Sequence, residues 1–138
     1  MIEILKAVLE AIGAARWFFR KRRRELLVID DDTSARFLMR EMIEAAGYKC
    51  KTASTAEAGL ALAQQEVFPI IYVDSRLPLM SGFDFLNEII QVQPKSLTII
   101  VCGLASDLGR IPPGRFVGVI LKPPTLQAIE DSIRKTKM

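Results

Sequence analysis

Three short apolar runs, each closing on a charged residue, constrain this chain more than any other feature. Leu26-Leu27-Val28-Ile29 leads into Asp30-Asp31-Asp32, Pro69-Ile70-Ile71-Tyr72-Val73 into Asp74, and Val117-Gly118-Val119-Ile120-Leu121 into Lys122-Pro123. Runs rich in β-branched residues and lacking polar alternation are strands buried on both faces, the pattern of a parallel sheet. In an open parallel sheet the ligand crevice lies beyond the carboxyl ends of the strands. The charged residues therefore converge on one small site. Clustered carboxylates suit a hard divalent cation such as Mg²⁺, and a neighbouring ammonium suits a phosphoryl oxygen. That combination points to phosphoryl chemistry.

Around these runs, strand and helix signals alternate five times. A strand near 26–30 precedes a helix near 33–46, capped by Asp32 or Thr33 and stopped by Gly47. Tyr48–Ala53 reads as an edge strand. Ser54-Thr55-Ala56-Glu57 has capping-box spacing, which predicts a helix over about 55–65. A third strand ends at Asp74, and a helix near 83–92 turns Phe83, Leu86, Ile89 and Ile90 inward. Leu97–Val101 and Phe116–Leu121 are the fourth and fifth strands. Thr125 caps a last helix with Leu126, Ile129 and Ile133 at helical spacing. Five βα units of about 22 residues imply a doubly wound α/β domain with right-handed crossovers. Between strands four and five, residues 103–114 hold three glycines and two prolines. These disfavour a helix interior by roughly 1 and 3 kcal/mol each, so the fourth helix should shrink to one or two turns or vanish.

Composition removes several function classes. The 138-residue chain has no histidine, which excludes Ser-His-Asp and Cys-His catalysis, His-ligated zinc and an internal phosphohistidine donor. Cys50 and Cys102 lie 52 residues apart in predicted strands, without metal-ligand spacing, and read as reduced core thiols. No run reaches the ~18 uncharged apolar residues of a spanning helix, and the start lacks the basic region of a secretory signal. A cytoplasmic chain is the expectation. The net charge of +3 is unevenly placed. Residues 1–25 hold seven basic against three acidic residues, whereas the remainder holds 12 against 13. The folded part is thus no basic nucleic-acid binder. The boundary divides a leader, residues 1–24, from a domain over 25–138.

The motifs Val28-Ile29-Asp30-Asp31-Asp32, Val73-Asp74-Ser75-Arg76-Leu77-Pro78-Leu79-Met80-Ser81-Gly82 and Leu121-Lys122-Pro123, in that order and spacing, resemble the receiver domain of two-component response regulators. The likeness covers residues 26–137. It implies a flavodoxin-like sheet of strand order 2-1-3-4-5 and a non-enzymatic signalling role. It makes Asp74 the phosphoacceptor and gives Mg²⁺ to Asp31, Asp30, Asp74 and the Arg76 backbone carbonyl. It pairs Lys122 with a phosphoryl oxygen and implies a cis Lys122-Pro123 bond. The implied partner is a histidine kinase or phosphotransfer protein. Asp32 is expected to act as a helix cap.

Departures from that family accompany the matches. Cys102 stands where the family carries Ser or Thr, and a thiol is a poor hydrogen-bond donor. Val119 occupies the position of the switching aromatic, and Pro124 stands where an aromatic commonly follows Lys-Pro. The phosphoacceptor end is intact and the readout end altered. Neighbouring carboxylates should raise the Cys102 pKa, which argues against a redox role. A haloacid-dehalogenase-type phosphatase needs a second acid two residues after the first, where this chain has Arg76; a dinucleotide site lacks its Gly-rich turn.

The leader carries Met1, Leu5, Val8, Ile12, Ala15 and Phe19 at 4-3-4-3-4 spacing. This is a heptad seam, widened by Ile4, Leu9, Ala11, Trp17 and Phe18. Arg20-Lys21-Arg22-Arg23-Arg24 follows. Residues 1–19 fit a homodimerising or partner-binding helix, a membrane-surface helix, or a helix folded onto its own domain. The chain ends at Met138, just past its last helix, so a stand-alone receiver is expected. The alternative is an assembly module that keeps the scaffold without switching.

Overall fold

The structure, a computed structural model, describes residues 2–8, 10–12, 24–111 and 117–136. The uniformly apolar runs form its centre. β1 (Glu25–Ile29), β3 (Ile70–Asp74) and β4 (Leu97–Cys102) carry almost wholly buried side chains. β2 (Lys49–Ala53) lies outside β1, and β5 (Val117–Leu121) outside β4. All pairings are parallel and the order is β2-β1-β3-β4-β5, as the resemblance implied. From β1 the chain runs out to β2 and then crosses back to β3. That reversal places the switch point between the carboxyl ends of β1 and β3.

Strand alternation splits the core into two layers. Leu27, Ile29, Ile71, Val73 and Ile100 face α2 (Ala56–Gln65) and α3 (Gly82–Val92), with Phe68, Phe85 and Leu86 filling the gap. Leu26, Val28, Tyr72 and Ile99 face α1 (Thr33–Ala45) and α4 (Leu126–Lys135), meeting Met39, Ile43, Ile129 and Ile133. Burying each such side chain contributes roughly 1.5–3 kcal/mol. Both cysteines are free and buried.

Local chemistry explains several differences from the sequence expectations. Thr55, rather than the Ser54 of a Ser54/Glu57 box, caps α2 by accepting from the Ala58 amide at 3.1 Å. Ser81 caps α3 the same way, so the helix starts at Gly82. Phe85 is buried beside Phe83, Leu86 and Ile89, whereas Ile90 lies at the solvent edge, 38% exposed. Leu126, in the first turn of α4, is likewise outside the core. Residues 105–110 form a six-residue 3₁₀ helix, the shortened element predicted from Gly and Pro content.

Residues 2–8 and 10–12 are helical and exposed throughout, including Ile2, Ile4, Leu5, Val8 and Ile12. None of these side chains belongs to either core layer. Met1, Leu9, Ala15, Trp17, Phe18, Phe19 and the run Arg20–Arg23 lie outside the described residues, as do Pro112, Pro113, Gly114 and Phe116. Among the described residues no helix is long and apolar enough to cross a membrane.

Candidate functional site

Each charged residue predicted for the site is delivered by a strand end. Asp30 follows β1 and Asp74 closes β3; adjacent parallel strands bring the two side by side. Both are buried, at 5% and 6% exposure. Asp31, one residue on, faces solvent. Ligand oxygens of Asp30, Asp31 and Asp74 all lie within 4.8 Å of one another. Three carboxylates at that spacing, two of them partly dehydrated, form an oxygen-rich donor set fitted to a hard divalent cation.

Backbone amides aim the two buried carboxylates. Asp30 Oδ1 accepts from the Asp32 amide at 2.9 Å, and Asp74 Oδ1 accepts from the Arg76 amide at 2.9 Å. Each turn occupies one oxygen and leaves Oδ2 for the crevice. Lys122, from the end of β5, lies across β4: its amide donates to the Cys102 carbonyl, and its stem runs past Gly103. Its ammonium then reaches Asp74 Oδ2 at 2.8 Å and Asp30 Oδ2 at 4.0 Å. The Lys122-Pro123 peptide is cis.

Electrostatics follow from this packing. Burial pushes the Asp30 carboxyl up to about 6; the Asp32 amide and Lys122 oppose the rise, and Asp74 adds to it. Burial works against the charge on Lys122, but its hydrogen bond to Asp74 and the carboxylates of Asp74, Asp30 and Asp31 outweigh it and raise its pKa. Burial also raises the Cys102 thiol, with Asp107 and Asp74 acting the same way. Cys102 is fully buried in the apolar layer beneath α3 and stays protonated near neutrality.

Val119 lies apart from this cluster. It lines a groove of about 410 Å³ beside Ile99, Leu121 and Ala128, and it is substantially exposed. Asp32 caps α1 through the Ser34 and Ala35 amides, at 2.8 and 3.3 Å. Three contributors escaped the sequence reading. Arg36 Nη1 donates to the Asp30 carbonyl at 2.8 Å, locking the β1–α1 turn. Asp107, buried in the 3₁₀ segment, pairs with Arg76. Ser75 is buried with its hydroxyl unpartnered among the described residues. Arg36 was foreseeable, since the first turn of α1 must pass over the end of β1. Asp107 was not, because residues 103–114 carry no periodicity to orient it.

These features define a doubly wound α/β domain whose switch-point crevice holds an acidic triad and one lysine. The chain belongs to the response regulator receiver domain family, whose model matches residues 26–134. It is similar to a response regulator receiver domain protein from Clostridium thermocellum, at 28% identity and a TM-score of 0.74, over 82% of this chain and 93% of that one. A CheY-like receiver domain protein from Methanospirillum hungatei JF-1 is also 28% identical, with a TM-score of 0.70, over 81% and 91% of the two chains. The receiver domain of a sensor histidine kinase from Pseudomonas aeruginosa PAO1 shares the fold at 18% identity, with a TM-score of 0.73 over 81% and 95%. That structure has a magnesium ion coordinated in its active-site cleft. No curated protein matches the chain.

Proposed function

We propose that Asp74 accepts a phosphoryl group from a histidine kinase or phosphotransfer protein, in a Mg²⁺-dependent reaction, and that the modified domain signals through protein contacts. The observation that carries this reading is the meeting of Asp30, Asp31 and Asp74 oxygens with the Lys122 ammonium at one rim. These 138 residues hold no histidine, so a phosphohistidine donor lies outside them. An Asp74 oxygen attacks phosphorus as the bond to the donor nitrogen breaks, and the electron pair of that bond leaves with the donor imidazole. The Arg76 amide holds the carboxylate in orientation throughout. Lys122, already at Asp74 Oδ2, moves onto a phosphoryl oxygen as negative charge shifts outward. Asp30, Asp31, Asp74 and the Arg76 carbonyl would hold Mg²⁺, which supplies charge neutralisation at the transferring group. The domain acts as a signalling module in the cytoplasm, not as an enzyme. Labelling by a small phosphodonor should require Mg²⁺ and disappear in Asp74→Asn. Unlabelled wild-type protein at saturating donor and Mg²⁺ overturns the reading.

A second reading, an assembly module that keeps the scaffold without switching, draws on three observations. Cys102 is buried as an apolar side chain, Val119 stands apart from the site, and the leader exposes a broad apolar surface. In that reading residues 1–19 pair two copies or lie on a membrane surface. A beryllofluoride mimic that binds Asp74 without altering assembly or partner affinity would favour it.

A further inference from the structure

Arg76 reaches from the acceptor turn to the 3₁₀ segment. Its amide serves Asp74 Oδ1, but its guanidinium points away and takes Asp107, with Nε 3.2 Å from Oδ2 and Nη2 3.5 Å from Oδ1. Asp107 is a buried carboxylate, 6% exposed, whereas the Arg76 side chain is largely in solvent. Asp107 has little contact with water and Arg76 is the cation it pairs with, so this contact ties the 3₁₀ segment to the turn after Asp74. A second arginine tethers the same segment: the Arg110 guanidinium lies 4.5 Å from the centre of the Phe83 ring. Phe83 follows Gly82, which packs on the Asp74 backbone. Residues 105–110 are thus fastened on both sides of the acceptor aspartate by side chains that start within its immediate surroundings.

We propose that Arg76 and Asp107 form a latch, and that a phosphoryl group on Asp74 competes with Asp107 for the Arg76 guanidinium and frees the 3₁₀ segment. The inference rests on Asp74 being the phosphoacceptor. A phosphoryl group brings up to two negative charges and three acceptor oxygens to a point two residues from Arg76, and a guanidinium pairs with such oxygens bidentately. Asp107 offers a single charge in exchange. Once Arg76 turns inward, the Asp107 carboxylate moves out toward water and takes residues 105–110 with it. This route needs no hydroxyl at Cys102 and no aromatic at Val119. It converts the element with the least regular structure in the domain into the one that reports the state of Asp74.

The test measures binding of beryllofluoride with Mg²⁺ to the full chain by calorimetry, together with amide hydrogen exchange over residues 103–111. Asp107→Asn removes the competitor and should tighten mimic binding about fivefold. Arg76→Gln should weaken it by a similar factor, and the Arg76→Gln/Asp107→Asn double variant should match Arg76→Gln alone. Exchange over 103–111 should accelerate about tenfold on mimic binding in wild type. In Arg76→Gln, which leaves Asp107 itself in place, it should be fast from the outset and unresponsive. An Asp107→Asn effect that persists undiminished in the Arg76→Gln background overturns the latch, as does exchange in wild type that ignores bound mimic. Wild-type protein that fails to bind the mimic at all overturns both the latch and the phosphoacceptor reading, whereas binding without coupling sinks the latch alone.

Discussion

Gly82 presses its bare Cα against the backbone of Asp74. A Cβ at that position would stand 2.4 Å from the Asp74 carbonyl oxygen and 3.0 Å from the Ser75 Cα. Both contacts are backbone, so neither can rotate aside, and the Gly82 amide also donates to the Ser75 carbonyl at 3.2 Å. The residue is glycine because α3 starts against the strand end that presents Asp74. Gly82→Ala should lower stability by about 1–3 kcal/mol through overpacking. It should also depress labelling of Asp74, since the strain is relieved by moving that residue. Urea unfolding and phosphodonor labelling read the two effects. A fully stable, normally labelled variant would show that the close approach does not position the site.

Lys122 neutralises two buried carboxylates, and its loss should be felt before any phosphoryl group arrives. Lys122→Met leaves Asp74 and Asp30 without the ammonium now 2.8 and 4.0 Å away. About a third of the lysine side chain is in water, so the expected loss is about 1–2 kcal/mol at pH 7.5, below that of a fully buried pair. Labelling should slow by about a hundredfold, the scale of removing one donor from a developing charge. Lys122→Arg should recover most of the stability. If Lys122→Met unfolds at the wild-type midpoint, the pair contributes nothing to the resting domain.

Asp30 makes stability depend on pH in a stated direction. Its carboxyl is raised from 3.8 to about 6, chiefly by burial, so between those values the folded chain holds a proton that the unfolded chain releases. Its contribution is complete below about pH 4 and is lost as pH rises through about 6, on the order of 2 kcal/mol. In EDTA, wild-type stability should fall across that window relative to Asp30→Asn. Mg²⁺, which favours the charged form, should return more stability at pH 8 than at pH 5. Parallel pH profiles for wild type and Asp30→Asn would remove Asp30 as the source.

The parts of this fold that sequence resolves are those where chain periodicity and burial coincide. The runs ending at Ile29 and Val73 had to be central strands, because nothing else buries β-branched residues on both faces; the run ending at Leu121 reads the same way but forms the edge strand β5, with Val119 and Leu121 exposed. Asp30, Asp74 and Lys122 then had to meet, since parallel strands share one carboxyl end. Finer placement depended on competition that a sequence does not display. Thr55 won the α2 cap over Ser54, and along α3 the core took Phe85 beside Phe83, Leu86 and Ile89 while Ile90 stayed at the solvent edge. The Arg76–Asp107 pair was hidden for a different reason: it joins two loops whose mutual position is set by the completed sheet.

Neither cysteine should respond to mild oxidants or thiol reagents in the native protein. Burial pushes Cys50 up to about 12, with Arg40 opposing and Glu44 and Glu25 assisting, and Cys102 is raised by burial, Asp107 and Asp74. Since the thiolate is the reactive form, modification by a disulfide reagent at pH 8 should be more than about a hundredfold slower than in denaturant, where both thiols titrate. Rapid native labelling of Cys102 would reopen a redox role.

The exposed apolar face of the leader predicts behaviour that depends on what covers it. Ile2, Ile4, Leu5, Val8 and Ile12 all stand in solvent, Ile2 at 82%, while Glu3, Lys6 and Glu10 form a narrow polar stripe. An apolar arc this wide does not stay bare in water, and none of these side chains supports the domain core. Leu5→Asp/Val8→Asp should therefore leave the unfolding midpoint unchanged within about 0.5 kcal/mol. The same change should shift the intact chain toward monomer in sedimentation, or abolish its co-sedimentation with anionic vesicles. The two arms separate the partners. Loss of self-association without vesicle binding identifies a second copy, and salt-sensitive vesicle binding identifies a membrane surface, drawing on the basic residues at 16 and 20–24. A chain that is monomeric and vesicle-free before mutation would leave the apolar face with neither occupant, and would remove the leader from the assembly reading.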